Sequence, residues 1–408
     1  FAYPSGDYTQ FLQPWFEELK AAGGLAAIGL PVGDYMVTYL YILALLTYLP
    51  LPGIVSIKIV SCVGDLVLAI YGMRAAKLLT NSEGTARAAY TALLFLPTVL
   101  LNSGAWGQCD SLYTAALLAC FYYSLRQCPK KSMLAFGAAL AFKLQAIFLA
   151  PFLFYLWLQG RVKFRHFFLV PAVYLLAILP AFLAGRPLAD LLTIYLRQTG
   201  TYTQLSMGAP NPYAWLGSLH VSWLTALGVA LGAAAALVAV YLLCKKSTAP
   251  SPLLLIKAAY LFALMLPFLL PRMHERYFYP ADVFSVLYFY SADTPQKRVI
   301  PLITVFCSFF SSCRFLFGWT WVSPALLSLP LIFSWSWCSP SWKSMVEYNA
   351  ACAVETARPE VLVNVSTTNP NPVWLLVMAI AFLATGWGFA AYRLSRGRKY
   401  NCIPDRAI

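Results

Sequence analysis

Acidic residues are scarce in this chain, 15 in 408 positions, so an aspartate beside an apolar run needs a reason. Asp7 stands in Ser5-Gly6-Asp7-Tyr8, with Phe11, Pro14 and Trp15 following closely. A carboxylate there can take a proton from an attacking hydroxyl. Gly6 would let a ligand approach, and Tyr8 and Trp15 offer flat faces that suit sugar rings. The same aspartate can instead cap a helix beginning near Thr9. Asp34 repeats the pattern in Gly33-Asp34-Tyr35, directly before an apolar helix, where capping is the stronger alternative. Asp110 closes Trp106-Gly107-Gln108-Cys109-Asp110-Ser111, a short turn between two apolar runs. It too can serve as an N-cap, but a turn alone does not call for Trp106 and Gln108.

Two cationic features complement these acids. Lys143 sits in Ala141-Phe142-Lys143-Leu144-Gln145, inside an apolar run and far from the basic pair at Lys130 and Lys131. A lysine so placed must snorkel, pair with an acid or bind an anion. Arg272-Met273-His274-Glu275-Arg276-Tyr277 packs four ionisable groups into five residues between two apolar stretches. Arg272, His274 and Arg276 can hold a phosphate. An interhelical salt-bridge knot around Glu275 would use the same residues. No P-loop, GxGxxG, HExxH or GxSxG is present, so nucleotide-driven and zinc-hydrolase chemistry lacks a signature.

The elements that must position these groups belong to a membrane protein. Apolar residues make up 60% of the chain and charged ones 11%, against roughly a quarter charged in soluble domains. Runs such as Ile54–Tyr71, His166–Gly185, Trp223–Cys244 and Trp374–Tyr392 approach the length of a bilayer crossing. The net charge of +14 resides in short clusters between such runs, among them Arg126/Lys130/Lys131 and Arg161/Lys163/Arg165. That placement fits cytoplasmic loops under the positive-inside rule and not nucleic-acid binding. The segments Tyr3–Tyr35, Trp106–Ser111, Arg186–Trp215 and Arg272–Arg276 then gather on the opposite, outer or lumenal, face. Tyr35–Tyr48 reads as an interfacial helix in a first outer loop spanning 1–53. Beyond Arg298 the count of crossings conflicts with the basic residues Arg393, Arg396, Arg398 and Lys399 at the end. The ten cysteines show no zinc-like spacing, so neither metal nor disulfide is expected. The chain starts at Phe1 with no visible signal peptide, which suggests an opening after a lost first helix.

In this order the motifs resemble the GT-C superfamily of integral-membrane glycosyltransferases. Ser-Gly-Asp-Tyr with Pro-Trp-Phe, Trp-Gly-Gln-Cys-Asp-Ser, Phe-Lys-Leu-Gln and Met-His-Glu-Arg-Tyr-Phe-Tyr carry the resemblance over roughly Phe1 to Tyr290. It is strongest to prokaryotic proteins similar to GPI-anchor mannosyltransferase II, and extends to the ER glucosyltransferases of lipid-linked oligosaccharides. The resemblance implies an inverting transfer of hexose, mannose before glucose, from a polyprenyl- or dolichyl-phosphate donor to a glycan or glycolipid acceptor. Asp7 would match the catalytic base, and Lys143 and His274 the groups at the donor phosphate. Arg276 stands where the ER enzymes usually carry lysine, and Asp110 where they have an uncharged residue.

The expectation is therefore an all-α polytopic membrane protein of the GT-C type, with about 10–13 transmembrane helices and a helical first outer loop. Residues 1–290 form the catalytic module and 291–408 a set of C-terminal helices. Asp7 is the base, and Lys143, His274 and Arg276 hold the donor phosphate. Tyr8, Trp15, Asp34, Trp106, Gln108, Asp110 and Glu275 contact substrate. No cofactor is required, although Asp7, Asp34 and Asp110 could gather a divalent metal. The membrane is that of a bacterium or archaeon, or of the ER, with the site facing outside or the lumen. The alternative is a secondary transporter or lipid-carrier flippase, kept open by Asp65 inside an apolar run.

Overall fold

A computed structural model of the protein describes residues 3–200, 202–216, 222–246, 249–292 and 294–338. Among these residues the architecture is all-helical apart from one pair of two-residue strands. The expected helix at 374–392, the Asn364 sequon and the closing basic cluster lie outside the described residues. In chain order the first helices are α1 (Gln13–Ala21), α2 (Val37–Leu46), α3 (Gly53–Thr80), α4 (Glu83–Leu94) and α5 (Pro97–Leu100). Then come α6 (Asp110–Leu125), α7 (Pro129–Phe142), α8 (Ala150–Leu158), α9 (Leu169–Leu183) and α10 (Leu188–Gly200). The last are α11 (Ser222–Lys246), α12 (Pro252–Leu269), α13 (Tyr279–Ser291), α14 (Pro295–Phe317) and α15 (Pro324–Cys338).

Five of the described helices are long and apolar enough to cross a membrane, and a bent pair makes a sixth. These five cover Gly53–Thr80, Phe164–Leu183, Ser222–Lys245, Pro252–Leu269 and Arg298–Phe317. The bent pair joins Glu83–Leu94 to Pro97–Trp106 at 40°. Its bend falls at Pro97, which has no amide to continue the ladder. Other expected crossings are present as shorter helices: α6 takes the place of Leu112–Leu125, and α13 that of Phe278–Tyr290. The expected single run Met133–Phe152 is interrupted. α7 ends at Phe142, Lys143 is extended (φ −153°, ψ 136°), and a 3-10 turn, Leu144–Leu149, leads into α8. Tyr35–Tyr48 contains the ten-residue α2.

The core is built by α3, α6, α7, α12 and α13, whose facing residues are small or aromatic. Without a hydrophobic drive between helices in lipid, close backbone approach and packing hold such a bundle. Gly64 lies where α3 meets α6. A Cβ there would fall against Ser111 Oγ and Leu112 Cδ2, and Ser111 Oγ donates 2.8 Å to the Ser61 carbonyl. The helix past the expected boundary, α14, packs on α13 and donates Ser311 Oγ to the Gly208 carbonyl at 2.6 Å.

Gly64→Val is expected to destabilise the detergent-solubilised protein by about 1–3 kcal/mol through overpacking. Gly84→Ala, whose new carbon meets nothing nearer than 3.9 Å, is expected to leave the melting temperature essentially unchanged. Thermal unfolding of both variants checks the contrast.

Candidate functional site

The amino-terminal motif is arranged by Ser5 rather than by its aspartate. Ser5 Oγ accepts the Tyr8 amide at 3.2 Å and donates 2.8 Å to the Trp106 carbonyl. Asp7 makes no capping bond, which leaves its carboxylate for the interior. Asp7 Oδ2 receives Trp106 Nε1 at 3.0 Å and Gln108 Nε2 at 2.7 Å, and Arg276 lies 3.2 Å away. One oxygen therefore carries all three contacts. Trp106 is buried, stacked on Phe315 at 5.1 Å, and the Arg276 guanidinium sits 5.4 Å from its ring.

Gly107 makes this geometry possible. Its φ of +77° turns the chain between Trp106 and Gln108, a conformation costly for a residue with Cβ. The Gln108 amide then bonds the Asn102 carbonyl at 3.0 Å, and α6 starts at Asp110. Asp110 is not the N-cap, since Cys109 occupies that position. Instead its carboxylate is fully buried, with Asn102 Nδ2 2.8 Å from Oδ2 and Lys143 Nζ 2.6 Å from Oδ1. Lys143 reaches it because the backbone is extended at the break after α7, and the rings of Tyr35 and Tyr113 flank the ammonium at 5.5 and 5.9 Å.

His274 belongs to the short strand β2 (Met273–His274), which pairs in parallel with β1 (Ser206–Met207). The preceding residue, Arg272, has φ +61°, a sparsely populated value for a residue with Cβ, and its amide bonds the Leu205 carbonyl at 2.7 Å. His274 packs edge-on against Tyr202 and Tyr277 at 5.1 Å each. Burial, and then the charges of Arg276 and Lys143, push its imidazole well below the usual range, so it is neutral at pH 7. Glu275 is fully buried, and burial raises its carboxyl to about 7. Its Oε1 lies 3.6 Å from Arg276, beyond hydrogen-bond reach, and neither oxygen has a hydrogen-bond partner among the described residues. Arg276 is held fully protonated, because Asp7 outweighs the cost of its burial.

These elements enclose a cavity of about 330 Å³. Lys143, Arg276, His274 and Arg272 line it with Asp34, Gln145 and Tyr202, among apolar walls from Phe142, Phe148, Val229 and Leu270. Asp34 is at its rim, with its carbonyl accepting the Gln198 amide. Asp7, Trp106, Gln108, Asp110 and Glu275 do not line the cavity; they stand behind its cations. Tyr8 and Trp15 are buried in a separate cluster, where Trp15 meets Tyr35 at 5.1 Å. Asn102, Tyr35, Tyr113, Gln198 and Tyr202 were not singled out from sequence. Only Asn102 carried a signal, as an amide eight residues ahead of an aspartate within a largely apolar stretch. No group of three metal-ligating side chains occurs among the described residues.

Comparison with protein-family models finds none that matches this chain, and a search of curated proteins finds no match either. The geometry of the helical membrane protein itself therefore carries the functional argument.

Lys143→Met is expected to cost about 3–5 kcal/mol by leaving Asp110 charged and unpaired, with most of the loss recovered in the Lys143→Met, Asp110→Asn double variant. Thermal unfolding of the three proteins measures the coupling. A second expectation concerns pH. Glu275 binds its proton more tightly folded than unfolded, because its folded value near 7 exceeds the ordinary 4.5. Its contribution to stability is thus fully present below about 4.5 and disappears as pH rises through 7. Glu275→Gln should flatten the fall in melting temperature between pH 5 and 8 by removing that linkage.

Proposed function

We propose that this protein is an inverting membrane hexosyltransferase of the GT-C type, taking mannose, or else glucose, from a polyprenyl- or dolichyl-phosphate donor. The observation that carries the reading is the convergence of Lys143 and Arg276, from separate parts of the chain, on one largely apolar cavity beside Asp34. Such a cavity suits a lipid-linked phosphate: apolar walls for the chain and charge-assisted donors for the anion.

On this reading the acceptor hydroxyl attacks the anomeric carbon from the face opposite the phosphate, and a carboxylate takes its proton. The C–O bond to the phosphate breaks, and its electron pair leaves on the lipid phosphate with inversion. Lys143, Arg276 and the N–H of neutral His274 stabilise the negative charge that develops there. Asp7 is the base, with Oδ2 fixed by Trp106 and Gln108 and its proton taken at Oδ1. A second assignment has its own observation in favour: Asp34 is the aspartate among the described residues that lines the cavity. The site faces the outside or the lumen, opposite the lysine-rich loops.

The test is transfer of radiolabelled hexose from short-chain polyprenyl-phosphate-mannose and polyprenyl-phosphate-glucose by protein in detergent, with a host lipid extract as acceptor. Asp7→Asn is expected to lose about 10²-fold or more of the rate. Full activity in Asp7→Asn with loss in Asp34→Asn moves the base to Asp34. Absence of transfer together with proton- or sodium-driven uptake in liposomes replaces the enzyme reading with a transporter that uses Asp65.

A further inference from the structure

A second recess, about 210 Å³, lies beyond the rim of the main cavity and is lined by Pro31, Gly33, Arg186, Asp190, Ile194 and Arg197. Asp34 and Gln198 line both spaces, and the Gln198 side chain bonded to the Asp34 carbonyl forms part of the wall between them.

Arg186 is placed there by the end of α9. Gly185, at φ +101°, lets its own amide bond the Phe182 carbonyl at 3.0 Å while the Arg186 amide bonds the Ala181 carbonyl at 3.0 Å. This reciprocal pair ends the helix and turns Arg186 inward. The residue is 2% exposed, yet the one hydrogen bond described for its side chain is a long one, NH1 to the Leu30 carbonyl at 3.4 Å. Its Nε is buried with no hydrogen-bond partner among the described residues. A buried guanidinium with donors to spare is costly unless something else fills them. Arg197, by contrast, is clasped by Asp190 through NH1 to Oδ1 at 2.7 Å and NH2 to the carbonyl at 3.1 Å.

The lining therefore offers one under-used cation together with the carboxylates of Asp34 and Asp190. A bare anion would meet those carboxylates unfavourably, whereas a ligand with hydroxyl groups can donate to them while its anion reaches Arg186. We propose that this recess binds an anionic group carried on a polyol, a sugar phosphate or the headgroup of an acidic glycolipid. Resting on the hexosyl-transfer reading, it is the acceptor's seat, which brings an acceptor hydroxyl across the Asp34 wall toward the donor.

Direct binding tests the recess apart from catalysis. Protein in detergent is titrated with glucose 6-phosphate, glucose and inorganic phosphate by calorimetry. The expected result is measurable binding of glucose 6-phosphate, weakened about ten-fold or more in Arg186→Gln, with glucose and phosphate both much weaker. Arg186→Lys, which keeps the charge and loses the fork, serves if Arg186→Gln does not fold; it should weaken binding several-fold at an unchanged melting temperature. No binding of glucose 6-phosphate, equal binding of phosphate, or binding indifferent to both variants overturns the proposal. Displacement by phosphatidylglycerol nanodiscs but not phosphatidylcholine ones would assign the ligand to a lipid headgroup, and no displacement to a soluble sugar phosphate; either supports the recess. Loss of the transfer reading leaves these titrations interpretable, and failed titrations leave the transfer assay untouched.

Discussion

The cost of burying charge governs this structure. Lys143 and Arg276 both sit among apolar helices, where an uncompensated ion is expensive and a well-paired one is tolerable. Each is met by an aspartate, Asp110 and Asp7, and each aspartate is in turn bonded by neutral donors: Asn102 for the first, Trp106 and Gln108 for the second. The remaining geometry follows from those requirements. α7 stops at Phe142 so that Lys143 can reach Asp110, and the left-handed Gly107 lets Trp106 and Gln108 face Asp7 together. The amino-terminal segment is tied down because Ser5 grips the Trp106 carbonyl.

The same cost explains what sequence makes legible. A lysine inside an apolar run advertises itself, and so does a cluster of four ionisable groups between two such runs. The helices themselves are readable for a related reason: backbone groups in lipid must be satisfied internally, so each long apolar run becomes a helix. Ser222–Lys246 and Pro252–Leu269 lie close to the runs that predict them. Partners are another matter. Asp110 reads equally well as an N-cap until three-dimensional packing brings Lys143 to it across 33 positions. The break at Lys143 has no proline or glycine at its own position to announce it. The strand pair Ser206–Met207 with Met273–His274 is too short for any period to reveal. Trp15 illustrates the converse: an aromatic near an aspartate suggests a sugar platform, yet here its ring packs on Tyr35 within a buried cluster.

Cations that already hold a carboxylate are not thereby spent. Lys143 has three N–H donors and Arg276 five, and the structure draws on only some of them. The carboxylates behind the cavity wall keep both side chains charged and fixed in place, so that little reorganisation is needed when an anion arrives in front of them. Removing the carboxylates would let the lysine snorkel away and make any anion-binding geometry a matter of chance.

His274 fits this scheme because it is neutral. A third positive charge beside Lys143 and Arg276 would repel both and would have to be desolvated as well; an imidazole that has lost its proton escapes that cost and still donates one N–H. Glu275 makes the same compromise from the acidic side, since a carboxyl that titrates near 7 adds little negative charge behind Arg276 and competes weakly with Asp7 for it. The cavity therefore gains hydrogen-bonding groups faster than it gains charge. That balance allows a polar site to persist inside a bundle made largely of apolar helices.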